Sequence, residues 1–184
     1  MKLVIRADDY GYTSIFNQGT IKAIEEGLVT YVDLMLDCAG CEDAIARIKA
    51  YPWISVGWHG GHFWGWPVSD PKKVPSLLGN DGRFKFKDDP QEKNRVVYEE
   101  ALLECEAQVV RCIRLLGRAP CVTTLGESVF ESARKEICDK YGIVYHYMKK
   151  KSRHHDGWET LDPKYEDLDI YKMRAGEPTV LTVG

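Results

Sequence analysis

The alternation of short strand-like runs with helical segments is what most constrains the fold of this chain. Residues 2–6 (KLVIR), 29–36 (VTYVDLML) and 53–58 (WISVGW) are apolar runs of the length a buried strand uses. Between them, Ile15, Ile21, Ala23 and Ile24 recur at helical spacing in a segment from Ser14 to Glu26, with Gly27 as its stop. A second helical segment follows at 42–50 (EDAIARIKA). Parallel strands need a crossover that a helix supplies, so this order predicts an α/β fold built of parallel strand–helix repeats. The pattern returns later, with helices over 96–116 and 128–141 and strands near 120–124 and 143–147. In such a sheet the residues that follow the strands gather on one rim, where α/β proteins place their chemistry.

Two stretches escape the pattern. Residues 60–94 are rich in Gly, Pro, aromatic and charged residues, and a connection that long is expected to be functional or a lid. Residues 149–184 read as a polar, poorly patterned tail. With 184 residues the chain is expected to form a single domain. A net charge of −3 and a pI near 6.0 give no reason to expect a nucleic-acid or anionic-membrane partner, and the short run Lys149–Lys151 with Arg153 reads as a solvated loop. No run approaches the roughly 20 apolar residues of a membrane span, and the first residues read as a strand rather than a signal peptide. A cytoplasmic location, with reduced cysteines, is therefore expected. Cys38 and Cys41 have CxxC spacing but no second pair to complete a four-thiolate site, and Cys105, Cys112 and Cys138 read as small buried hydrophobes.

The residues with the clearest chemistry lie just past the first and third runs. RADDYG, residues 6–11, sets Asp8 beside Asp9, and adjacent carboxylates raise each other's pKa unless a cation or a proton sits between them. One reading is a turn with an aspartate capping the next helix; the other is a metal site with a neighbouring general base. His59 follows SVGW at the end of the third run, on the same rim if the strands are parallel, and an aspartate with an imidazole from separate strands can hold a divalent metal.

These stretches carry a family resemblance. RADDYGYTSIFNQGTIKAIEEGLVT resembles the opening of the YdjC-like carbohydrate deacetylases, which reads NADDFG followed by an asparagine before a helix. VGWHGGHFWGWPVS is similar to their VGxHLxLxxGxPVS segment, and VPSLLGNDGRF to their proline-serine-leucine stretch. EEALLECEAQVVRCIRLLGRAP is similar to the helix before their third motif, with Glu104 and Gln108 in matching places. The resemblance spans about residues 2 to 147 and implies a single TIM-like barrel domain over 1–184, incomplete or distorted, whose C-terminal part is absent. It implies removal of acetyl groups from N-acetylated sugars or oligosaccharides, chitooligosaccharides among them, with a divalent metal (Mg or Zn). By the same resemblance Asp9 and His59 match the metal ligands and Asp8 the general base. The chemistry suits these types: an amide carbonyl needs a Lewis acid to polarise it and a carboxylate to take a proton from water.

The third motif departs from that pattern. The family carries an aspartate and alternating histidines there, whereas CVTTLGESVF, residues 121–130, has neither: Thr124 stands for the aspartate, and Gly126, Ser128 and Phe130 for the histidines. A metal is therefore expected to be weakly held, with His62, Glu127, or His154 and His155 as substitute ligands. Trp58, Phe63, Trp64 and Trp66 form an aromatic group suited to stacking on sugar rings. Three functional outcomes stay open: a deacetylase of low turnover, a non-catalytic carbohydrate-binding relative, or a shortened chain whose open sheet edges drive it to a homo-oligomer.

Overall fold

The computed structural model describes residues 3–27, 29–60, 65–147, 154–155, 158–161 and 179–183. The first five strands are β1 (Leu3–Tyr10), β2 (Tyr31–Leu34), β3 (Ser55–Trp58), β4 (Val122–Leu125) and β5 (Val144–Tyr147). They pair in parallel in chain order, with α1 (Ser14–Glu25), α2 (Cys41–Ile48), α3 (Tyr98–Leu116) and α4 (Val129–Tyr141) as the crossovers. The 149–184 stretch, expected as an unpatterned tail, adds β6 (His154–His155), β7 (Trp158–Leu161) and β8 (Thr179–Val183). The β-branched run of β8 lies parallel to β1 on one side and β7 on the other, so the order is β5-β4-β3-β2-β1-β8-β7-β6. Among the described residues the sheet ends at β5 and β6, and the barrel it follows is open.

Local sequence explains the helices. Thr13 caps α1 by accepting the Phe16 amide, Ser128 caps α4 by accepting that of Glu131, and α3 and α4 end at Gly117 and Gly142 in the left-handed conformation that glycine tolerates. The buried residues of α3 are Ala101, Glu104, Cys105, Gln108, Val109 and Cys112, a stripe at helical spacing that faces the sheet. Cys38, Cys41, Cys105, Cys112 and Cys138 are buried free thiols, and burial pushes the Cys41 thiol up to about 11, which keeps it from acting as a thiolate at neutral pH.

A further expectation changes. The first strand does not stop at residue 6 but continues to Tyr10, which pairs with Leu34 beyond an irregularity between Ala7 and Tyr10. Within the long connection after β3, Val74, Leu77, Phe84 and Phe86 are buried, and the Phe86 ring packs 5.1 Å from that of Phe130.

Candidate metal and acid–base site

Strand alternation assembles the candidate site. On β1, Arg6 and Asp8 share a face; Arg6 pairs with Tyr31 of β2, and Asp33, two residues further on, pairs with Gly57 of β3. His59 lies two residues past Gly57, just beyond the end of β3. One face of three adjacent strands thus brings Arg6, Asp8, Tyr31, Asp33 and His59 together at the carboxyl ends. Gly57 is required there, because a Cβ at that position would collide with the Tyr31 hydroxyl and lie 2.7 Å from Asp33 Oδ1.

Consecutive residues of a regular strand point to opposite faces, so Asp8 and Asp9 should diverge. The bulge at this point of β1 prevents it. Asp9 has φ 56°, a left-handed conformation that costs a non-glycine residue about 1–3 kcal/mol. Its backbone N–H is 3.4 Å from His59 Nδ1, and its Oδ1 lies 3.9 Å from the same nitrogen. Asp8 Oδ1 lies 3.8 Å and Asp33 Oδ2 4.0 Å from His59 Nδ1. Three carboxylates therefore surround one imidazole. Of the described residues, Asp8, Asp33 and His59 form a group whose ligand atoms lie within 4.8 Å of one another.

The charges are arranged around Arg6. Its Nη2 donates to Asp8 Oδ2 at 3.1 Å, its Nε lies 3.0 Å from Asp8 Oδ1, and its Nη1 lies 3.5 Å from Asp33 Oδ2. Burial works to lower the guanidinium's pKa, but the carboxylates of Asp33 and Asp8 outweigh it and keep Arg6 charged. Burial raises the Asp8 carboxyl above the ordinary carboxylate value, against the pull of Arg6 and His59. Tyr31 donates to Asp33 Oδ1 at 2.6 Å, and burial together with Asp33 holds its hydroxyl protonated. The residues fit a divalent cation: two carboxylate oxygens and an imidazole nitrogen are close, and the buried Asp8 Oδ1 accepts no hydrogen bond despite its nearness to Arg6.

Asp33 was absent from the residues singled out in the sequence. The signal available was one charge inside the otherwise apolar run VTYVDLML, since a buried carboxylate needs partners. Trp58 lies on the opposite face from His59. It is 1% exposed, donates from Nε1 to Gln108 at 2.9 Å, and packs its ring 4.7 Å from the Arg134 guanidinium, so it belongs to the core and offers no stacking face. Trp66 is half exposed, with the Arg83 guanidinium 4.4 Å from its ring. His62, Phe63 and Trp64 lie outside the described residues.

The segment carrying Trp66 is held at both ends. Gly65 and Trp66 donate their backbone N–H groups to Asp37, at 2.9 and 3.2 Å. Val68 and Ser69 donate theirs to Glu104, each at 3.0 Å. The Ser69 hydroxyl (2.6 Å) and Gln108 (2.9 Å) complete the shell of Glu104. Glu127 is exposed, and His154 and His155 form β6. In the altered third motif Ser128 caps α4, and Phe130 is buried in the core.

A family model for YdjC-like protein matches residues 2–121, and the chain belongs to that family. A carbohydrate deacetylase of Brevibacillus brevis is 39% identical over 113 residues, which are 61% of this chain and 44% of that protein. A chitooligosaccharide deacetylase of Proteus mirabilis is 30% identical over 118 residues, 64% of this chain and 46% of that one. The chain thus spans under half the length of these curated relatives. A solved protein of Enterococcus faecalis V583, named for cellobiose-phosphate cleavage, superposes with a TM-score of 0.75 over 98% of this chain and 79% of its own. At 21% identity that likeness shows the shared α/β fold. No helix among the described residues is long and apolar enough to cross a membrane.

Proposed function

We propose that this chain hydrolyses the acetamide of an N-acetylated sugar or chitooligosaccharide, with Asp9, His59 and Asp33 holding a divalent cation and Asp8 as the proton acceptor. The observation that carries the reading is the convergence of three carboxylates on His59, each within 4.0 Å, at the carboxyl ends of β1 to β3. The relatives named as carbohydrate deacetylases support the substrate class. A bound divalent cation would supply the Lewis acidity that amide hydrolysis needs. Asp8 takes a proton from water, and its burial makes it a stronger base than an exposed aspartate. Asp33 supplies the donor that the altered third motif lacks, and Tyr31 fixes its orientation. The Asp37 and Glu104 anchors position Trp66 at the rim, where an exposed indole suits a sugar ring.

A second reading, a carbohydrate-binding relative without turnover, is favoured by one observation: the positions expected to carry histidines are committed to a helix cap at Ser128 and to the core at Phe130. Acetate release from N-acetylated chitooligosaccharides, assayed with added Zn or Mg beside Asp8→Asn, separates the two. Release that the substitution abolishes supports hydrolysis. Saturable sugar binding without release supports the second reading and refutes the first.

A further inference from the structure

The oxygens that approach His59 are the same ones that Arg6 meets. Asp8 Oδ1 is 3.8 Å from His59 Nδ1 and 3.0 Å from Arg6 Nε. Asp33 Oδ2 is 4.0 Å from His59 Nδ1 and 3.5 Å from Arg6 Nη1. The other oxygen of each carboxylate is already engaged, by Arg6 Nη2 on Asp8 and by the Tyr31 hydroxyl on Asp33. A cation seated beside His59 and the Arg6 guanidinium thus draw on one pair of atoms.

We propose that Arg6 is a built-in counter-ion that competes with a divalent cation for Asp8 and Asp33 and so sets the metal affinity of the site. This rests on the proposed cation site beside His59, which Asp33 would meet as a ligand and Asp8, the proton acceptor, as the carboxylate next to it. Asp8 is largely and Asp33 almost wholly shielded from solvent, so two carboxylates this close repel and a positive charge between them offsets the repulsion. A guanidinium does this with one delocalised charge on a planar fork, whereas a divalent cation brings two charges to a point. The fork is imperfectly used: Arg6 Nε and Asp8 Oδ1 are both buried, 3.0 Å apart, and yet neither has a hydrogen-bond partner. The contact between them is one of charge alone, and a cation can replace it without breaking an aligned hydrogen bond. About a fifth of the Arg6 side chain is exposed, which gives the displaced guanidinium a route to solvent. Metal loading then requires Arg6 to release Asp33 and its Nε contact with Asp8.

The test measures zinc affinity of the full chain by competition with a chromogenic chelator, together with thermal melting with and without zinc. Wild type is compared with Arg6→Gln, Arg6→Lys, and Arg6→Gln combined with Asp33→Asn. Arg6→Gln is expected to bind zinc about tenfold to a hundredfold more tightly, the size of one to two lost charge-assisted contacts. It should melt below wild type without zinc, because Asp8 and Asp33 then face each other unneutralised, and recover when zinc is added. Adding Asp33→Asn should remove the gain in affinity. Arg6→Lys keeps the charge but loses the fork and should fall between; it decides the matter if Arg6→Gln does not fold. A wild type that binds zinc as tightly as both Arg6 variants, within about twofold, overturns the competition while leaving the cation site intact. Failure of every variant and of wild type to bind zinc overturns the cation site itself, and the competition with it.

Discussion

Glu104 offers the most direct measure of how the rim is held in place. It is fully buried on α3 and accepts from the Val68 and Ser69 amides, the Ser69 hydroxyl and the Gln108 amide. Replacing it with alanine leaves those four donors without their acceptor. The Ser69 hydroxyl can turn, but Gln108, whose Oε1 is held by Trp58, keeps its buried Nε2 where Glu104 was, so the lasting loss falls on that amide and two backbone N–H groups. Each orphaned donor costs about 1–3 kcal/mol, and relief from burying a carboxylate offsets part of the sum. The expected net loss is about 3 kcal/mol, or a melting temperature lowered by about 6–12 °C for a chain of this size. Urea unfolding gives the free energy, and hydrogen exchange at Val68 and Ser69 gives the local effect. The loss should be accompanied by faster exchange at those two amides and weaker sugar binding through Trp66. A loss under about 1 kcal/mol with unchanged exchange at both amides would refute the anchoring role.

Two further outcomes follow from the same packing. Gly57→Ala places a methyl group against the Tyr31 hydroxyl and Asp33, so it should destabilise by about 1–3 kcal/mol and weaken zinc binding, read by unfolding and chelator competition; unchanged affinity would detach Gly57 from the site. Burial outweighs the four donors and leaves the Glu104 carboxyl above its ordinary value. As pH rises past the unfolded carboxylate's pKa toward the higher folded one, the unfolded state loses its proton first and the stability contributed by Glu104 declines. Glu104→Gln should therefore cost more stability near pH 4 than near pH 7, measured by urea unfolding at both.

The order of strands and helices was legible because it is written locally. The stripe of α3 and the stops at Gly27, Gly117 and Gly142 need only neighbours in sequence. The placement of Asp8, Asp9 and His59 on one rim follows from parallel topology alone. What local pattern does not carry is register. Asp33 acquires meaning only when Tyr31 stands beside it, Arg6 across from Tyr31 and a glycine opposite, which are facts of pairing between three strands. Trp58 shows the same limit from the other side. Its neighbourhood suggested a cleft, yet it immediately precedes His59, and alternation directs it into the core beneath α3. The bulge that brings Asp9 to His59 was equally hidden, since nothing in RADDYG distinguishes a strand that ends from one that kinks.

The altered third motif shows how the site could move rather than vanish. Arg134, fully buried on α4, donates to the Thr123 hydroxyl, the Thr124 carbonyl and Glu131, while its guanidinium covers the Trp58 ring. Thr123 in turn donates to the Trp58 carbonyl at 2.6 Å, which ties the ends of β3 and β4 together. Gly60, next to His59, lies against the same guanidinium, since a Cβ there would come within 2.6 Å of Arg134 Nη2. The carboxyl end of β4 is therefore a closed packing unit, and a ligand introduced there would have to displace a buried charge whose partners would be left unpaired, a loss of about 3–5 kcal/mol. Among the described residues the β1–β2 side has no such plug. Asp8 is partly exposed, and Arg6 is the guanidinium that both Asp8 and Asp33 meet, so on the proposed reading Asp33 would supply a donor for a cation at the cost of displacing that guanidinium. Packing at β4 therefore agrees with the proposal that a cation would sit on the Asp8–Asp33–His59 side of the rim.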